Sequence, residues 1–180
     1  SRPGSEIISA EEEWKRLEPV FVALRAKFPD IFISVDTFRA EIAKKVIDLG
    51  TDIINDISGG DLDKEMFDVL AGNNVAYIMM HMKGDPKNMQ LNPEYGDVVY
   101  EVKTELDKKA SVLTSKGFNN IILDPGFGFG KNLEHNFQLL KQLSQITETG
   151  FPVLTGVSRK SMINKVIGSS PVTALNGTTV

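Results

Sequence analysis

Five short apolar segments recur along the chain, and each ends in polar or glycine residues. The segments between them have the spacing of amphipathic helices. Strands that alternate with such helices form βαβ units, which pair into a parallel sheet. The chain is therefore predicted to be an α/β protein. The five predicted strands are residues 31–35, 52–57, 75–80, 120–123 and 151–157.

The intervening segments predict helices with identifiable ends. Residues 9–28 open with a capping box of Ser9 and Glu12 and contain Pro19, which is expected to kink the helix. A long helix is predicted from Asn92-Pro93 to Gly117, one from 133 to about 146, and shorter ones after Arg39, near 62–70 and near Ser158. The residues expected to face inward are Trp14, Leu17, Phe21, Leu24 and Phe28 in the first helix, Val99, Val102, Leu106, Ala110 and Leu113 in the long one, and Phe137, Leu140 and Leu143 in the next.

The polar strand ends distinguish between two kinds of parallel sheet. In a doubly wound sheet only strands beside the switch point need such ends, whereas in a (β/α)8 barrel every strand delivers side chains to one mouth. We therefore predict a (β/α)8 TIM barrel. A complete barrel takes about 250 residues, so 1–180 is expected to be a single barrel domain truncated at both ends, with about five strands and their helices. The polar or unusual residues at the strand ends are Asp36-Thr37, Asn55-Asp56, His81-Met82, Asp124-Pro125 and Gly156-Val157-Ser158.

Composition excludes several classes of protein. With 180 residues, 41% of them hydrophobic, one domain with a sizeable core is expected. A net charge of -4 argues against binding a nucleic-acid backbone, and the apolar runs are too short for a membrane span. There is no cysteine and there are only two histidines, His81 and His135, which argues against a cysteine- or histidine-built metal site. Without a signal peptide, we expect a cytoplasmic protein.

The glycine-rich segment 124–131, DPGFGFGK, does not fit the common nucleotide-binding motifs. The Walker pattern needs four residues between its glycines and Ser or Thr after the lysine, and G-x-G-x-x-G is broken as well. Interleaved Gly and Phe indicate a backbone that approaches a flat ligand while phenyl groups line its edge. The alternative is a tight turn whose phenylalanines pack on the barrel rim.

The segment 156–161, GVSRKS, resembles a nucleophile elbow until Lys160 replaces the last glycine. Hydroxyl groups, Arg159, Lys160 and a helix N-terminus together indicate an anion site. The alternative is a capped helix with solvated basic residues.

Asp36 and Asp124 end separate strands and are expected to face each other across the mouth. Each could serve as a general base, a metal ligand or an acceptor for ligand N–H groups, or could simply cap the following helix. Beside Asn55, carboxylates favour recognition of a donor-rich heterocycle. His81 is expected to be a hydrogen-bonded structural residue and His135 a surface residue. Met79, Met80 and Met82 are expected to form core or wall.

Together these motifs resemble the dihydropteroate synthase family in order and spacing. The resemblance implies a barrel that joins 6-hydroxymethyl-7,8-dihydropterin diphosphate to 4-aminobenzoate with the assistance of Mg²⁺ and releases diphosphate. It also implies sulfonamide inhibitors and, for a complete protein, a homodimer. The matching segments are Ser1-Arg2-Pro3-Gly4, Ser34-Val35-Asp36-Thr37, Ile54-Asn55-Asp56-Ile57, Met80-His81-Met82-Lys83-Gly84, 123–131 and 156–162.

The resemblance also implies a role for each site residue. Asp36, Asn55 and Asp124 would bind the pterin edge, Met80 and Phe129 would pack on its ring, and Lys160 would reach a pterin oxygen. Asp36, Asp124 and Lys160 would be the catalytic residues. Arg2 and Pro3 would belong to a mobile loop over 4-aminobenzoate, and Ser161 would hold its carboxylate. The family's magnesium ligand and its diphosphate-binding Arg/His pair have no counterpart here, so this chain alone is expected to be inactive.

Two other functions stay open. One is the pterin-binding domain of a methyltetrahydrofolate-dependent methyltransferase, which resembles the same fold; residues 158–161 argue against it because that class handles no diphosphate leaving group. The other is an inactive fragment that binds ligand weakly.

Overall fold

A computed structural model describes residues 7–84 and 93–179, and its sheet has four parallel strands in the order β1-β2-β3-β4. Each strand lies beside the next one in sequence, and a helix connects each pair, as βαβ units require. The first four predicted strands are confirmed, with shifted ends. They are β1 (Ser34–Asp36), β2 (Ile53–Asp56), β3 (Ala76–Met80) and β4 (Ile121–Asp124).

The fifth predicted strand is wrong as a strand. Segment 151–157 makes only an isolated parallel bridge, between Val153 and Leu123. The Leu123 N–H donates to the Pro152 carbonyl and the Leu154 N–H donates to the Leu123 carbonyl, both at 2.8 Å. Pro152 has no N–H to extend this ladder, so pairing stays limited to one bridge.

Helices precede and connect the strands and cover one face of the sheet. The N-terminal helix begins where the capping box predicts, since the Glu12 N–H lies 3.2 Å from the Ser9 hydroxyl. The bounds are α1 (Ala10–Lys27), α2 (Ala40–Asp48), α3 (Met66–Leu70), α4 (Val98–Ser115), α5 (Leu133–Lys141), α6 (Leu143–Thr147), α7 (Ser161–Ile167) and α8 (Leu175–Thr178).

Two helices start later than predicted, and one buries fewer of its predicted inward residues. Helix α4 starts at Val98 because the Asp97 carboxylate caps it, accepting the Val99 and Tyr100 N–H groups at 3.0 Å; Asn92 lies outside the described residues. In α1, Leu24 and Phe28 are exposed although Phe21 is buried. Helix α7 begins at Ser161, three residues later than predicted.

The predicted helix over 133–146 is interrupted at Gln142 and buries a different face. Phe137 and Leu140 are exposed, whereas Leu139 and Ile146 are buried. The face is rotated because Asn136 turns inward, where its amide oxygen accepts the Gly128 N–H at 2.7 Å. Sequence periodicity cannot reveal this hydrogen bond between a side chain and the backbone of a preceding loop.

The two faces of the sheet have different roles because side chains alternate along each strand. One face packs on the helices and forms the core, which includes Val35, Ile54, Tyr77, Met79 and Leu123. The inward residues predicted for α4 all belong to this core. Within 7–84 and 93–179, no helix is long and apolar enough to cross a membrane.

Candidate ligand-binding site

The strand register brings the predicted polar residues to one end of the second face. Asp36 pairs with Asn55 across β1 and β2, and Met80 pairs with Asp124 across β3 and β4. Asn55 in turn aligns with Ile78, two residues before Met80. Since positions two apart share a face, Asp36, Asn55, Met80 and Asp124 lie on the same surface. This surface is the candidate site.

Asp36 and Asn55 form a hydrogen-bonded pair at the β1 side of the candidate site. The Asn55 side-chain amide donates to the Asp36 carboxylate. This bond orients the amide, whose carbonyl oxygen is its acceptor for a ligand N–H. Asp36 is exposed, at the end of β1, which is the edge strand of the described sheet.

Asp124 is the buried carboxylate of the candidate site, with 7% of its surface exposed. Its Oδ1 accepts the Gly126 N–H at 2.8 Å, which fixes the carboxylate against the turn after β4. Burial raises the pKa of Asp124, while this hydrogen bond and the charges of Lys160 and Lys131 oppose the rise. Such a carboxylate gains most from a ligand that donates hydrogen bonds to it.

Lys160 comes from the loop before α7 and reaches the same place. Its ammonium group donates to the Phe127 carbonyl and lies 4.9 Å from the centre of the Phe129 ring. Burial lowers the pKa of Lys160 and the Asp124 carboxylate opposes this. Lys160 is therefore half-buried and hydrogen-bonded, whereas Arg159 is exposed, as the alternative of solvated basic residues expects.

An apolar wall adjoins these polar groups. Met80 and Met82 are buried and form a separate cluster, against which Ile57 and Phe129 pack. Sulfur and phenyl groups offer a polarisable surface suited to a flat ring. Met80 and Phe129 are thus brought together. Phe127, in contrast, is fully buried in the main core, so only one of the two phenyl groups of segment 124–131 adjoins the candidate site.

Two buried charged residues were missed by sequence reasoning. Asp56 faces the helices, because alternation turns it away from Asn55, and it accepts hydrogen bonds from the Ser58 and Gly60 N–H groups at 2.8 Å and from the Tyr77 hydroxyl at 2.7 Å. The sequence Asp-Ile-Ser-Gly-Gly is a signal for such a turn. The other is Lys131, which is 3% exposed.

The two histidines have structural partners. His81 is buried, with its Nδ1 3.0 Å from the Lys131 Nζ and its Nε2 3.4 Å from a Glu105 carboxylate oxygen. This confirms the expected hydrogen-bonded structural role, and burial lowers the pKa of His81. His135 is only half-buried; it completes the capping box of α5 with Asn132 and packs edge-on against Tyr95.

The predicted 4-aminobenzoate residues are only partly visible. Ser161 is exposed, is the first residue of α7, and follows Lys160. Arg2 and Pro3 lie outside the described residues. Ser161 borders a pocket of about 180 Å³ that is also lined by Pro93, Lys131, Asn132, Leu133, Asn136, Met162 and Lys165.

Across 7–84 and 93–179, no group of three His, Cys, Asp or Glu side chains is arranged to hold a metal ion. Asp36 and Asp124 accept hydrogen bonds from the Asn55 side-chain amide and the Gly126 N–H, respectively.

The fold and the candidate site define a class of protein. A parallel βα sheet whose strand ends gather two carboxylates, an amide and a lysine over an apolar wall is suited to bind a flat, hydrogen-bonding heterocycle. Residues 1–178 match the family described as pterin binding enzyme, and the chain belongs to that family.

Curated relatives agree with this assignment. The chain is 41% identical over 169 residues to a dihydropteroate synthase from Synechocystis and 43% identical over 179 residues to one from Neisseria meningitidis. These alignments cover 93% and 97% of the chain but only 58% and 62% of the relatives. The chain thus spans less than two thirds of either relative.

Solved structures confirm the predicted barrel fold. A Yersinia pestis dihydropteroate synthase with a sulfonamide drug matches with a TM-score of 0.91 at 37% identity, over 98% of the chain and 64% of its own length. A Thermus thermophilus enzyme in complex with 4-aminobenzoate gives 0.90 at 40%, over 98% and 67%. A Xanthomonas albilineans enzyme with 7,8-dihydropteroate gives 0.85 at 34%, over 96% and 65%. The chain has the fold of part of a (β/α)8 barrel.

Proposed function

We propose that this chain carries the pterin-binding part of a dihydropteroate synthase. The reaction joins 6-hydroxymethyl-7,8-dihydropterin diphosphate to 4-aminobenzoate and gives 7,8-dihydropteroate and diphosphate. The observation that carries the proposal is the register that places Asp36, Asn55 and Asp124 on one sheet face, with Lys160 beside them. The ligands of the solved relatives, 4-aminobenzoate and 7,8-dihydropteroate, support the same chemistry.

Pterin recognition would follow from the hydrogen-bonding character of each group. The Asp124 carboxylate accepts N–H bonds from the aminopyrimidine edge, and the oriented Asn55 amide and Asp36 extend this row of polar groups. Lys160 donates to a pterin oxygen from above Phe129. Met80 and Phe129 contact the ring face.

The proposed reaction requires little acid–base chemistry from these side chains. The bond between the pterin methylene carbon and the diphosphate oxygen breaks, and diphosphate leaves with the bonding electrons. The carboxylates of Asp124 and Asp36 favour the resulting pterin cation. The aniline nitrogen of 4-aminobenzoate then attacks the methylene carbon and loses a proton. Ser161 would hold the carboxylate of 4-aminobenzoate, and sulfonamides would occupy the same position.

Further properties are part of this proposal. We include Mg²⁺ as a cofactor because of the family resemblance alone. It would neutralise charge on the departing diphosphate. A homodimer of the complete protein is likewise included because of the family resemblance alone. A cytoplasmic location stays a prediction. The methyltransferase alternative has no support among the relatives described above, which are dihydropteroate synthases.

A chimeric enzyme tests the proposal. The chain is 38% identical to the Escherichia coli dihydropteroate synthase and covers 63% of it, so it can replace the matching part of that enzyme. We expect the purified chimera to form 7,8-dihydropteroate, and the same chimera with Asp124→Asn to be strongly impaired. A chimera that folds and binds 4-aminobenzoate but forms no product would contradict the proposal.

A further inference from the structure

The ammonium group of Lys131 is buried where the loops after β3 and β4 meet. Its Nζ lies 3.0 Å from the Gly126 carbonyl oxygen, 3.0 Å from the Phe129 carbonyl oxygen and 3.0 Å from the His81 Nδ1. The His81 carbonyl oxygen is 3.4 Å away. No role for Lys131 follows from the proposed reaction.

The three nearest acceptors match the donors of a charged lysine. An ammonium group has three N–H donors. Because burial lowers the pKa of His81, its ring is neutral at pH 7, with one donor and one acceptor nitrogen. The Nε2 lies 3.4 Å from the Glu105 carboxylate and carries the proton, which leaves Nδ1 to accept from Lys131.

The acceptors belong to two different loops, one of which forms the candidate site. Gly126 and Phe129 lie in the turn that presents Asp124 and the Phe129 ring. The turn packs closely on the end of β3: Gly126 has φ +69°, and a Cβ placed there would lie 1.9 Å from the His81 carbonyl oxygen. Since the Gly126 N–H holds the Asp124 carboxylate, the position of Gly126 determines the position of Asp124.

We propose that Lys131 is a positioning residue of the ligand site, whose ammonium group holds the turn after β4 against the end of β3 and thereby orients Asp124 and Phe129. This inference rests on the proposed function for its ligand, although the turn itself can be tested without one. The charged and titratable groups that face Lys131 are His81, Glu105, Asp124 and Lys160. Burial lowers the pKa of Lys131, while the Asp124 carboxylate and the three acceptors at 3.0 Å favour the charged ammonium form.

The ligand-free experiment measures amide hydrogen exchange in the 180-residue chain and in its Lys131→Met variant. Methionine keeps most of the side-chain length but removes all three donors. We expect exchange about tenfold faster or more at the Gly126 and Phe129 amides, with the buried Leu106 in α4 unchanged. Lys44→Met, at an exposed site on α2, is the matched control. Unchanged exchange in the turn would overturn the proposal.

The ligand experiment is a double-mutant cycle in pterin affinity. We expect Lys131→Met to weaken 6-hydroxymethylpterin binding by about tenfold or more, and to have a much smaller effect in an Asp124→Asn background. Equal effects in both backgrounds, or a folded Lys131→Met variant with unchanged affinity, would overturn the positioning role. If the parent chain binds no pterin, the proposed function fails, while the exchange measurement still decides the role of Lys131.

A second variant covers the case in which Lys131→Met does not fold. His81→Phe keeps a ring but has no acceptor, and it leaves the ammonium group with the two carbonyl oxygens of the turn. We expect it to show faster exchange at Gly126 and a coupling to Asp124→Asn of the same sign. Unchanged exchange together with additive affinities would overturn the proposal by itself.

Discussion

Asp124→Asn separates ligand binding from folding more sharply than any other change at the candidate site. The Asp124 Oδ1 accepts the Gly126 N–H at 2.8 Å, and an asparagine carbonyl oxygen can keep that bond. The other carboxylate oxygen becomes an NH₂ group, which would meet a pterin N–H donor. The change therefore preserves the turn and removes the acceptor that the ligand needs.

The expected loss of affinity follows from the hydrogen bonds. Losing a charge-assisted bond and leaving a buried ligand N–H unpaired costs about 2–5 kcal/mol, or roughly 30- to 5,000-fold in the dissociation constant. Stability should behave differently. Burial raises the folded-state pKa of Asp124 above the unfolded value, so its stabilising contribution is present at low pH and is lost as pH rises through the folded pKa. Asparagine carries no charge, so the melting temperature at pH 7 should not fall substantially.

The assay is calorimetric titration of the chain and the variant with 6-hydroxymethylpterin, together with thermal melts. Asp48→Asn, at an exposed ion pair with Lys44 on α2, is the matched control and should change neither quantity substantially. Unchanged pterin affinity combined with a large loss of melting temperature would show instead that Asp124 only secures the strand–turn junction.

Four further expectations follow from the same geometry. Pterin affinity should fall as pH is lowered through the raised pKa of Asp124, and titrations between pH 4 and 8 should show a flatter profile for Asp124→Asn. In the chimera, Lys160→Ala should weaken pterin diphosphate binding by about 1.5–3 kcal/mol. Ser161→Ala should mainly weaken 4-aminobenzoate binding, and equal effects of both changes on both ligands would contradict this division. In denaturant melts, Gly126→Ala should lower the free energy of unfolding by about 2–5 kcal/mol, because its Cβ would overlap the His81 carbonyl. Gly150→Ala is the control: Gly150 has φ +87° but nothing lies within 4 Å of its Cβ position, so this change should lower the free energy of unfolding by only about 1–2 kcal/mol. The 180-residue chain alone should form no dihydropteroate, because its described sheet is open at β1 and does not enclose a complete barrel mouth. Measurable product from the purified chain would contradict this.

Local periodicity and topology were enough to predict which side chains share the face of the candidate site. Alternation along a strand and pairing of consecutive parallel strands place Asp36 beside Asn55 and Met80 beside Asp124, and both features are legible in the sequence. The long helix α4 was predicted for the same reason, since its apolar positions repeat with helical spacing.

Features that depend on distant backbone groups could not be predicted in this way. The burial of Lys131 depends on carbonyl oxygens in its own turn and on His81, 50 residues earlier in the chain. The rotated face of α5 has a similar cause, because Asn136 binds the Gly128 N–H of that turn. In both cases a polar side chain satisfies buried backbone groups, and no periodic pattern signals such a contact.

The most direct test of the central claim is calorimetric titration of the unmodified chain with 6-hydroxymethylpterin, with methyltetrahydrofolate titrated in parallel. We expect saturable binding of one pterin per chain and markedly weaker binding of methyltetrahydrofolate. Binding of methyltetrahydrofolate alone, or no pterin binding by a chain whose melt shows a cooperative fold, would contradict the central claim.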